Sequence, residues 1–289
     1  MSYRHVIITR FSVRFNMLTE QQGCLFSPKR LDRRMRVFKT ICLPSILNQT
    51  SKRFYWVLLI DQKLNDKYRE QLEDLTKEHD FIRILEWKPE TYKLSRIDWL
   101  ADAGIDTNVN HMITTRLDDD DALHADFTKL IQEYYKQKGH KVNYLQFITF
   151  PTGLIWMAKR GMNPFKMPFI ALGMTLNVNV KNVPVNVYGF NHAHLKNSYK
   201  LRLKNPPYIY KWLSSKLKRT ITYRNFQLKN AMLSIQTKIP MYIYSIHGEN
   251  DSAAKYYAHL FRNGGMYPQQ TVRQMIKQFG LNWSTLQKL

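Results

Sequence analysis

The sequence predicts an α/β fold with a mainly parallel central sheet and a basic, helical C-terminal region. Two observations support this prediction. Strand-like and helix-like segments alternate through the first half of the chain, as they do when helices connect parallel strands. Residues 55–60 are continuously apolar, which is typical of a strand that is covered on both faces. The 289 residues suffice for one compact unit, with a core over 1–190 and a basic region over 191–289.

The helix that follows the first strand has the clearest local signals. Residues 5–9 form a short apolar stretch that predicts the strand. Ser27 then supplies a capping hydroxyl, and Pro28 stands at the first helical position. Pro44 either ends this helix or begins a second short one. Apolar residues recur at three- and four-residue spacing on one face, at Leu31, Met35, Phe38 and Cys42. Similar patterns predict strands at 55–60, 81–87 and 111–115 and helices at 66–79 and 124–137.

Beyond residue 140 the pattern is less regular. Val alternates with Asn or Lys over 177–188, which indicates a hairpin or an edge ribbon around Pro184. Residues 196–238 are basic and aromatic, and we expect two helices there that cover the sheet. The remaining elements are strands at 144–150 and 241–246 and two short helices within 252–289, around Gly264 and Gly265.

The positive charge of the chain is concentrated in its second half. The formal net charge is +22. Residues 134–289 contain 23 lysines and arginines but only two acidic residues, Glu249 and Asp251. Such a field favours a polyanionic partner, either nucleic acid or an anionic membrane leaflet. Generic cationic solubility is the alternative, although acidic residues serve solubility better.

Cysteine use and the N-terminal residues indicate a cytoplasmic protein. Cys24 and Cys42 lack the spacing of metal ligands, so we expect two reduced thiols. The first residues lack the apolar segment and the cleavage site of a signal peptide. No apolar run is long enough to cross a bilayer. Together with the charge, these features predict a cytoplasmic protein that is associated with DNA or lies peripherally at the inner face of a membrane.

The four aspartates at 118–121, here called the acidic run, are the strongest candidate for a functional site. They directly follow the strand predicted at 111–115. Four like charges together are costly unless a cation neutralises them, and carboxylates suit Mg²⁺ or Mn²⁺. Such a metal would hold a diphosphate and stabilise the charge on it as it leaves. The alternative is a solvated acidic loop that caps the following helix.

Other polar residues follow the neighbouring strands of the predicted sheet. Thr9 and Arg10 end the first strand, Asp61 ends the second, and Arg116 precedes the acidic run. Ligands of open α/β sheets bind at the carboxyl ends of the strands. We therefore expect these side chains to line one crevice together with the acidic run.

Several segments carry a resemblance to a known family. They are IITRFS at 7–12, LPSILNQT at 43–50, FYWVLLID at 54–61 and TRLDDDDALH at 115–124, with shorter pieces at 152–153, 163–165 and 246–250. These segments resemble the rhamnosyltransferase family, which is assigned to the GT-A, Rossmann-like glycosyltransferase fold. The resemblance covers about 1–170 and 240–252 and is most specific in the acidic run. It implies metal-dependent transfer of a sugar from a nucleotide-sugar donor to an acceptor hydroxyl.

The resemblance also assigns roles to residues. GT-A enzymes carry an Asp-x-Asp motif that binds Mn²⁺ or Mg²⁺, and it maps onto Asp118 and Asp120, with Asp121 as a further candidate ligand. They often bring a later histidine to the metal or the diphosphate, and His247 is the matching position. Asp119 stands where asparagine is expected, so the choice of metal ligands within the run stays open. Donor contacts are expected from Thr9, Arg10, Asp61, Arg116, Asp118 and Asp119, with structural ion pairs as the alternative for Arg10 and Asp61.

A catalytic base is expected near His247 or within the acidic run. An inverting transferase needs a carboxylate that deprotonates the acceptor hydroxyl, whereas a retaining transferase needs none in that position. Glu249 and Asp251 are the only acids after residue 133, which suggests a function for them, and Asp121 is the third candidate. The structural alternatives are a helix cap by Asp251 and an ion pair of Glu249.

Three interpretations of the acceptor stay open. In the first, the basic half binds duplex DNA, and a hydroxyl-bearing modified base is flipped out and glycosylated. In the second, the enzyme lies on an anionic membrane and builds a surface or lipid-linked glycan, as the resemblance implies. In the third, the chain is a nucleic-acid-binding protein without enzyme activity, which leaves the acidic run unexplained. The size of the charge favours the first, with Trp156, Lys159, Arg160, Lys218 and Arg219 as candidate acceptor-side residues.

Overall fold

The computed structural model describes residues 2–14, 25–158, 160–195, 231–247, 257–261 and 266–289. Its strands are β1 (Tyr3–Phe11), β2 (Tyr55–Asp61), β3 (Ile82–Trp87), β4 (His111–Arg116), β5 (Ala122–Leu123), β6 (Leu145–Thr149), β7 (Thr152–Met157), β8 (Gly161–Lys166), β9 (Thr175–Asn179), β10 (Met232–Ser234) and β11 (Tyr242–Ile246). Its α-helices are α1 (Pro28–Val37), α2 (Leu43–Leu47), α3 (Asp66–Thr76), α4 (Phe127–Gln137), α5 (Gln269–Lys277) and α6 (Trp283–Leu286).

The larger of two sheets is mainly parallel, as predicted. Its strand order is β10-β6-β9-β4-β1-β2-β3. β1 pairs in parallel with β2 and β4, β2 with β3, and β10 with β6, whereas β9 runs antiparallel to both of its neighbours. The register aligns Arg10 with Leu59 and Ile8 with Arg116. The carboxyl ends of β1, β2 and β4 therefore meet at one edge of the sheet.

The smaller sheet brings a distant strand to the acidic run. Its strand order is β5-β11-β7-β8. Ile243 of β11 pairs with Ala122 of β5, which directly follows the acidic run. Further along β11, Ile246 pairs in parallel with Met157 of β7. His247, the next residue, is thereby placed beside the acidic run.

Both faces of the larger sheet are buried, and β1 illustrates how. Ile7 and Phe11 pack in one apolar cluster, together with Met35 of α1. Val6 and Ile8 pack in a second cluster on the opposite face. Because successive side chains of a strand alternate between its faces, a strand with two covered faces is apolar throughout. A third cluster packs α5 and α6 against the smaller sheet.

The backbone stays helical around Pro44, where one helix leads directly into the next. α1 is followed by a π-helical turn at Phe38–Cys42, which leads directly into α2. Leu43 donates its N–H to the carbonyl of Phe38, five residues earlier. Pro44 lacks the N–H of the usual four-residue bond, and it stands in the first turn of α2. Of the two alternatives, Pro44 therefore begins a second helix.

The hairpin predicted in the second half is wrong. The alternation within 177–188 belongs to no hairpin: β9 is a single strand inside the larger sheet, between β4 and β6. A polar residue is tolerated there because the amide of Asn177 donates to the carbonyl of Gly139 at 2.9 Å. In the tail, α5 and α6 follow Gly264 and Gly265, and a 3₁₀ turn at Ala258–Phe261 precedes that pair. Residues 248–256 and 262–265 lie outside the described residues, so a helix before the two glycines stays a prediction.

The helices expected within 196–238 fall mostly on 196–230, which lie outside the described residues. The end of that stretch is strand β10 instead, because its residues pair with β6. Cys42 is a buried free thiol, as expected, and Cys24 lies outside the described residues. No helix within the described ranges has the length and the apolar character needed to cross a membrane.

Candidate active site

The ends of β1, β2 and β4 meet where β5 and β11 approach, and this place is called the crevice below. Arg10 lies near the end of β1, Asp61 ends β2, and Arg116 ends β4. The acidic run then connects β4 to β5. The convergence predicted from the strand ends is therefore found, but the individual side chains differ in where they point.

The side chain of Asp118 faces the crevice beside two arginines. Its carboxylate accepts from the guanidinium of Arg116 at 3.2 Å, and its side chain is 30% exposed. Burial opposes ionisation of Asp118, but the charges of Arg116 and Arg10 outweigh it and hold the pKa of this carboxyl below its usual value. Asp118 therefore stays an anion at neutral pH.

Asp119 is turned away from the crevice towards α1. Its carboxylate accepts two hydrogen bonds from Arg34, from Nε at 2.9 Å and from Nη2. The side chain is only 2% exposed. Burial raises the pKa of Asp119 to about 6, although the charge of Arg34 acts in the opposite direction. This placement gives Asp119 a structural ion pair in place of the donor contact expected from the sequence.

The side chains of Asp120 and His247 contact each other at the crevice. The imidazole Nε2 of His247 lies 3.1 Å from Oδ2 of Asp120. The side chain of Asp120 is 15% exposed and that of His247 is 2% exposed. Arg33 of α1 donates to the backbone carbonyl of His247. His247 therefore lies beside the acidic run, and its expected role at the metal or the diphosphate stays a prediction.

Asp121 is bound inwards by β11. Its Oδ1 accepts from the backbone N–H of Ser245 at 2.9 Å, and the residue is 1% exposed. The hydroxyl of Ser245 donates to the carbonyl of Asp120. Burial, reinforced by the charges of Asp120 and Asp118, raises the pKa of Asp121 well above its usual value. Asp121 thus fastens the acidic run to β11, which disfavours it as the catalytic base.

Tyr188 stacks between two arginines of the crevice. The guanidinium of Arg10 lies 5.0 Å from the centroid of its ring, and that of Arg116 lies 5.2 Å away. The phenol donates to the carbonyl of Ile8 at 3.3 Å. Tyr188 lies in a 3₁₀ turn at Val187–Gly189, whose position is held by Thr114 accepting from the N–H of Val187. Tyr188 was not predicted from the sequence, because no motif surrounds it.

Two residues expected to contact the donor have structural roles instead. Thr9 is fully buried, and its hydroxyl accepts from the indole N–H of Trp56 at 2.9 Å. Strand parity explains this error, since Thr9 lies on the same face of β1 as Ile7, which packs in the cluster with Met35 of α1. Asp61 is 3% exposed and accepts three hydrogen bonds from Arg14 at 2.8–3.1 Å. Burial opposes ionisation of Asp61, but the bonds from Arg14 lower its pKa.

The acceptor-side prediction for Trp156 is wrong. Its ring is 5% exposed and packs in the apolar cluster with α5 and α6, because this face of β7 is covered by those helices. Arg160 is exposed in the turn between β7 and β8. Five further candidates lie outside the described residues and stay predictions: Lys159, Lys218, Arg219, Glu249 and Asp251.

Arg33 and Arg34 also contact the site, although they were not predicted from the sequence as site residues. Both lie on α1, where the sequence analysis considered only the apolar face. The cluster of arginines in KRLDRRMR at 29–36 was the available signal, since arginines next to a buried acidic run are natural ion-pair partners.

Within the described residues, no three His, Cys, Asp or Glu side chains are grouped closely enough to hold a metal ion. Carboxylates are the usual ligands of Mg²⁺ and Mn²⁺, and imidazole is a common ligand of divalent transition metals. Asp118 and Asp120 are the carboxylates that face the crevice, and His247 contacts Asp120.

Several solved structures are similar to the chain at low identity. TarS of S. aureus in complex with UDP-GlcNAc is 11% identical, with 96% of this chain and 71% of that chain covered and a TM-score of 0.38. GlyE of Streptococcus pneumoniae TIGR4 is 11% identical, with 100% and 63% covered and a TM-score of 0.35. Mouse xyloside xylosyltransferase 1 is 9% identical, with 87% and 99% covered and a TM-score of 0.34. Against another structure of TarS 1–349, with 9% identity and a TM-score of 0.29, 54% of this chain aligns and spans 35% of that chain.

No curated protein sequence matches the chain significantly. A family model described as "Putative rhamnosyl transferase" matches residues 2–207, which is more than half of the chain. The matched part contains Arg10, Arg116, Tyr188 and the acidic run. The α/β architecture with its mainly parallel sheet is the fold class predicted from the sequence. The chain belongs to this rhamnosyl transferase family, a family of glycosyltransferases.

Proposed function

We propose that the chain is a metal-dependent glycosyltransferase that moves a sugar from a nucleotide-sugar donor to an acceptor hydroxyl. The observation that carries this proposal is the alternation within the acidic run. The side chains of Asp118 and Asp120 are 30% and 15% exposed at the crevice, whereas Asp119 and Asp121 are 2% and 1% exposed. This alternation supports Asp118 and Asp120 as the two carboxylates of an Asp-x-Asp motif.

Asp118, Asp120 and His247 would hold the cation. Their oxygen and nitrogen atoms suit Mn²⁺ or Mg²⁺. When bound, the metal neutralises the diphosphate of the donor and the charge that develops on it as it leaves. Asp119 and Asp121 support these residues indirectly, because their bonds to Arg34 and Ser245 fix the backbone of the run.

Arg10 and Arg116 would bind the oxygens of the diphosphate. Both guanidinium groups lie beside the ring of Tyr188, and Arg116 remains charged while it donates to Asp118. Guanidinium groups bind phosphate oxygens with two parallel hydrogen bonds. Arg10 and Arg116, both held by the ring of Tyr188, would therefore orient the diphosphate leaving group before the sugar is transferred.

Glu249 and Asp251 are the proposed candidates for the catalytic base of an inverting reaction. Both follow His247 within four residues, and His247 contacts Asp120 at the crevice. A carboxylate near the metal site can accept the proton of the acceptor hydroxyl. A retaining reaction would not need either residue, so the configuration of the product distinguishes the two mechanisms.

The acceptor is proposed from the charge of the second half. The 23 basic residues and two acids of 134–289 favour a polyanionic acceptor, and we propose DNA that carries a hydroxyl-bearing base. An anionic membrane surface is the competing outcome. Binding to duplex DNA and to anionic vesicles across a salt series separates them: DNA binding that weakens steeply with salt supports the proposal, and binding to vesicles alone contradicts it.

Activity is tested by incubating the full chain with Mn²⁺ and a panel of nucleotide sugars. We expect hydrolysis or transfer with at least one donor and loss of that activity in Asp120→Asn. Asp74→Asn is the matched control, since Asp74 is exposed on α3 and pairs only with Lys77 at the surface. Absence of turnover with every donor, together with unchanged donor binding in Asp120→Asn, would reject the transferase proposal.

A further inference from the structure

A cavity of about 540 Å³ lies at the opposite end of the larger sheet from the acidic run. It is formed where β1 and β2 begin, where β3 is about to begin, and where α4 ends. Along β1, Arg4 at the cavity and Arg10 at the crevice are six residues apart, which is about 20 Å in a strand. A ligand in this cavity therefore cannot be the donor at the acidic run.

The cavity is lined by five cationic side chains and one acidic side chain. Only one of the five has an acidic partner, since Arg4 pairs with Asp106 at 3.2 Å. In the part of the chain that the structure describes, no acidic side chain forms an ion pair with the other four. The carboxylate of Asp80 forms none either, and Arg83 donates to its backbone carbonyl instead. The cations are Arg4, Lys52, Arg53, Arg83 and Lys136.

The aromatic residues of the cavity hold two of these cations in place. The ammonium of Lys52 lies 5.7 Å from the ring centroid of Phe81, and the guanidinium of Arg83 lies 5.6 Å from that of Tyr55. Phe54 packs edge-on against Phe81 at 5.2 Å. Because these rings already contact cations or one another, a ligand would be recognised by its negative charge and not by stacking of a base.

We propose that this cavity binds an anion that carries several phosphate groups. Guanidinium and ammonium groups are the side chains that bind phosphate oxygens most strongly, and four of them here lack an acidic partner among the described residues. The volume exceeds that of a single phosphate, so it suits a chain of phosphates, either a free oligophosphate or the phosphodiester backbone of a polymer. The site is built from the first half of the sequence, where the overall charge is balanced, and so charge composition could not reveal it.

The test is isothermal titration of the full chain, in EDTA so that no metal assists the acidic run, with tripolyphosphate and separately with a short single-stranded oligonucleotide. Arg53→Gln/Lys136→Gln removes two exposed cations that have no acidic partner in the described residues. Arg273→Gln/Lys288→Gln makes the same charge change at exposed positions of α5 and the C-terminus that do not line the cavity. We expect the first variant to weaken binding about tenfold, since it removes two of the five cations that line the cavity, and the control to match wild type.

Tighter binding of tripolyphosphate indicates a free oligophosphate, and tighter binding of the oligonucleotide indicates a phosphodiester chain. The proposal is overturned if neither probe binds, if Arg53→Gln/Lys136→Gln binds like wild type, or if both variants weaken binding equally. Mn²⁺-dependent donor binding is measured on the same proteins and should be unchanged in Arg53→Gln/Lys136→Gln. Failure of the transferase proposal is thereby separated from failure of this one.

Discussion

Nε2 of His247 lies 3.1 Å from Oδ2 of Asp120, although 127 residues separate them in the chain. The antiparallel pairing of β11 with β5 creates this contact, because it places the end of β11 beside the acidic run. The hydrogen bonds of Ser245 to Asp120 and Asp121 then hold the two segments together. The geometry of the proposed metal site therefore depends on how β11 is anchored.

Asp119 is predicted to stabilise the fold. Asp119→Ala removes both hydrogen bonds between Asp119 and Arg34, and we expect the free energy of unfolding to fall by about 3 kcal/mol, as for a broken buried ion pair. Urea denaturation measures this change. Asp74→Ala, which removes an exposed pair with Lys77, should change stability by less than about 1 kcal/mol. Equal effects of Asp119→Ala and Asp74→Ala would refute the structural role of Asp119.

Tyr188 is predicted to position the two arginines of the crevice. Tyr188→Ala removes the ring beside Arg10 and Arg116, and we expect the KM for the donor to rise at least about fivefold, since two cation–π contacts are lost. The kcat should change less, because the ring touches no reacting atom. Tyr188→Phe keeps the ring and loses only the bond to the carbonyl of Ile8, so its KM should stay near wild type. A kcat effect without a KM effect would contradict this role.

His5 is predicted to make the fold sensitive to acid. Burial lowers the pKa of His5 to about 3, whereas an unfolded histidine titrates near pH 6.5. The unfolded chain therefore binds a proton that the folded chain excludes, and stability present above pH 6.5 is lost as the pH falls towards 3. At pH 5 this loss amounts to about 2 kcal/mol. His5→Asn should flatten the pH dependence of urea unfolding between pH 7 and 5, and the exposed His259→Asn should not; identical slopes for both variants would disprove the assignment.

Gly153 is predicted to be required for the approach of β11 to β7. A Cβ at Gly153 would lie 2.2 Å from the ring of Tyr242, so Gly153→Ala should destabilise the protein by at least about 2 kcal/mol. Tyr242→Leu removes the obstructing ring. In a double-mutant cycle, Gly153→Ala should therefore cost less in the Tyr242→Leu background, and strictly additive costs would contradict the close approach.

The sequence predicted the parts of the fold that depend on local patterns. Alternating strand-like and helix-like segments predicted the parallel sheet, because each βαβ connection is visible in the sequence as a strand pattern, a helix pattern and a second strand pattern. Thr9 was wrongly predicted to contact the donor because it lies at the end of a strand. Side chains alternate between the faces of a strand, and Thr9 shares its buried face with Ile7. Tyr188 was missed for a different reason: it reaches the site through the path of the chain in space, which no local period encodes.

The central claim is that Asp118 and Asp120 hold a divalent cation that binds the donor diphosphate. It is tested most directly by titrating Mn²⁺ into the full chain with a nucleoside diphosphate present, and following free Mn²⁺ by electron paramagnetic resonance. We predict one bound Mn²⁺ in wild type and in the surface control Asp74→Asn, and affinity weakened at least about tenfold in Asp118→Asn and in Asp120→Asn. Equal Mn²⁺ affinity in wild type and in both crevice variants would contradict the claim.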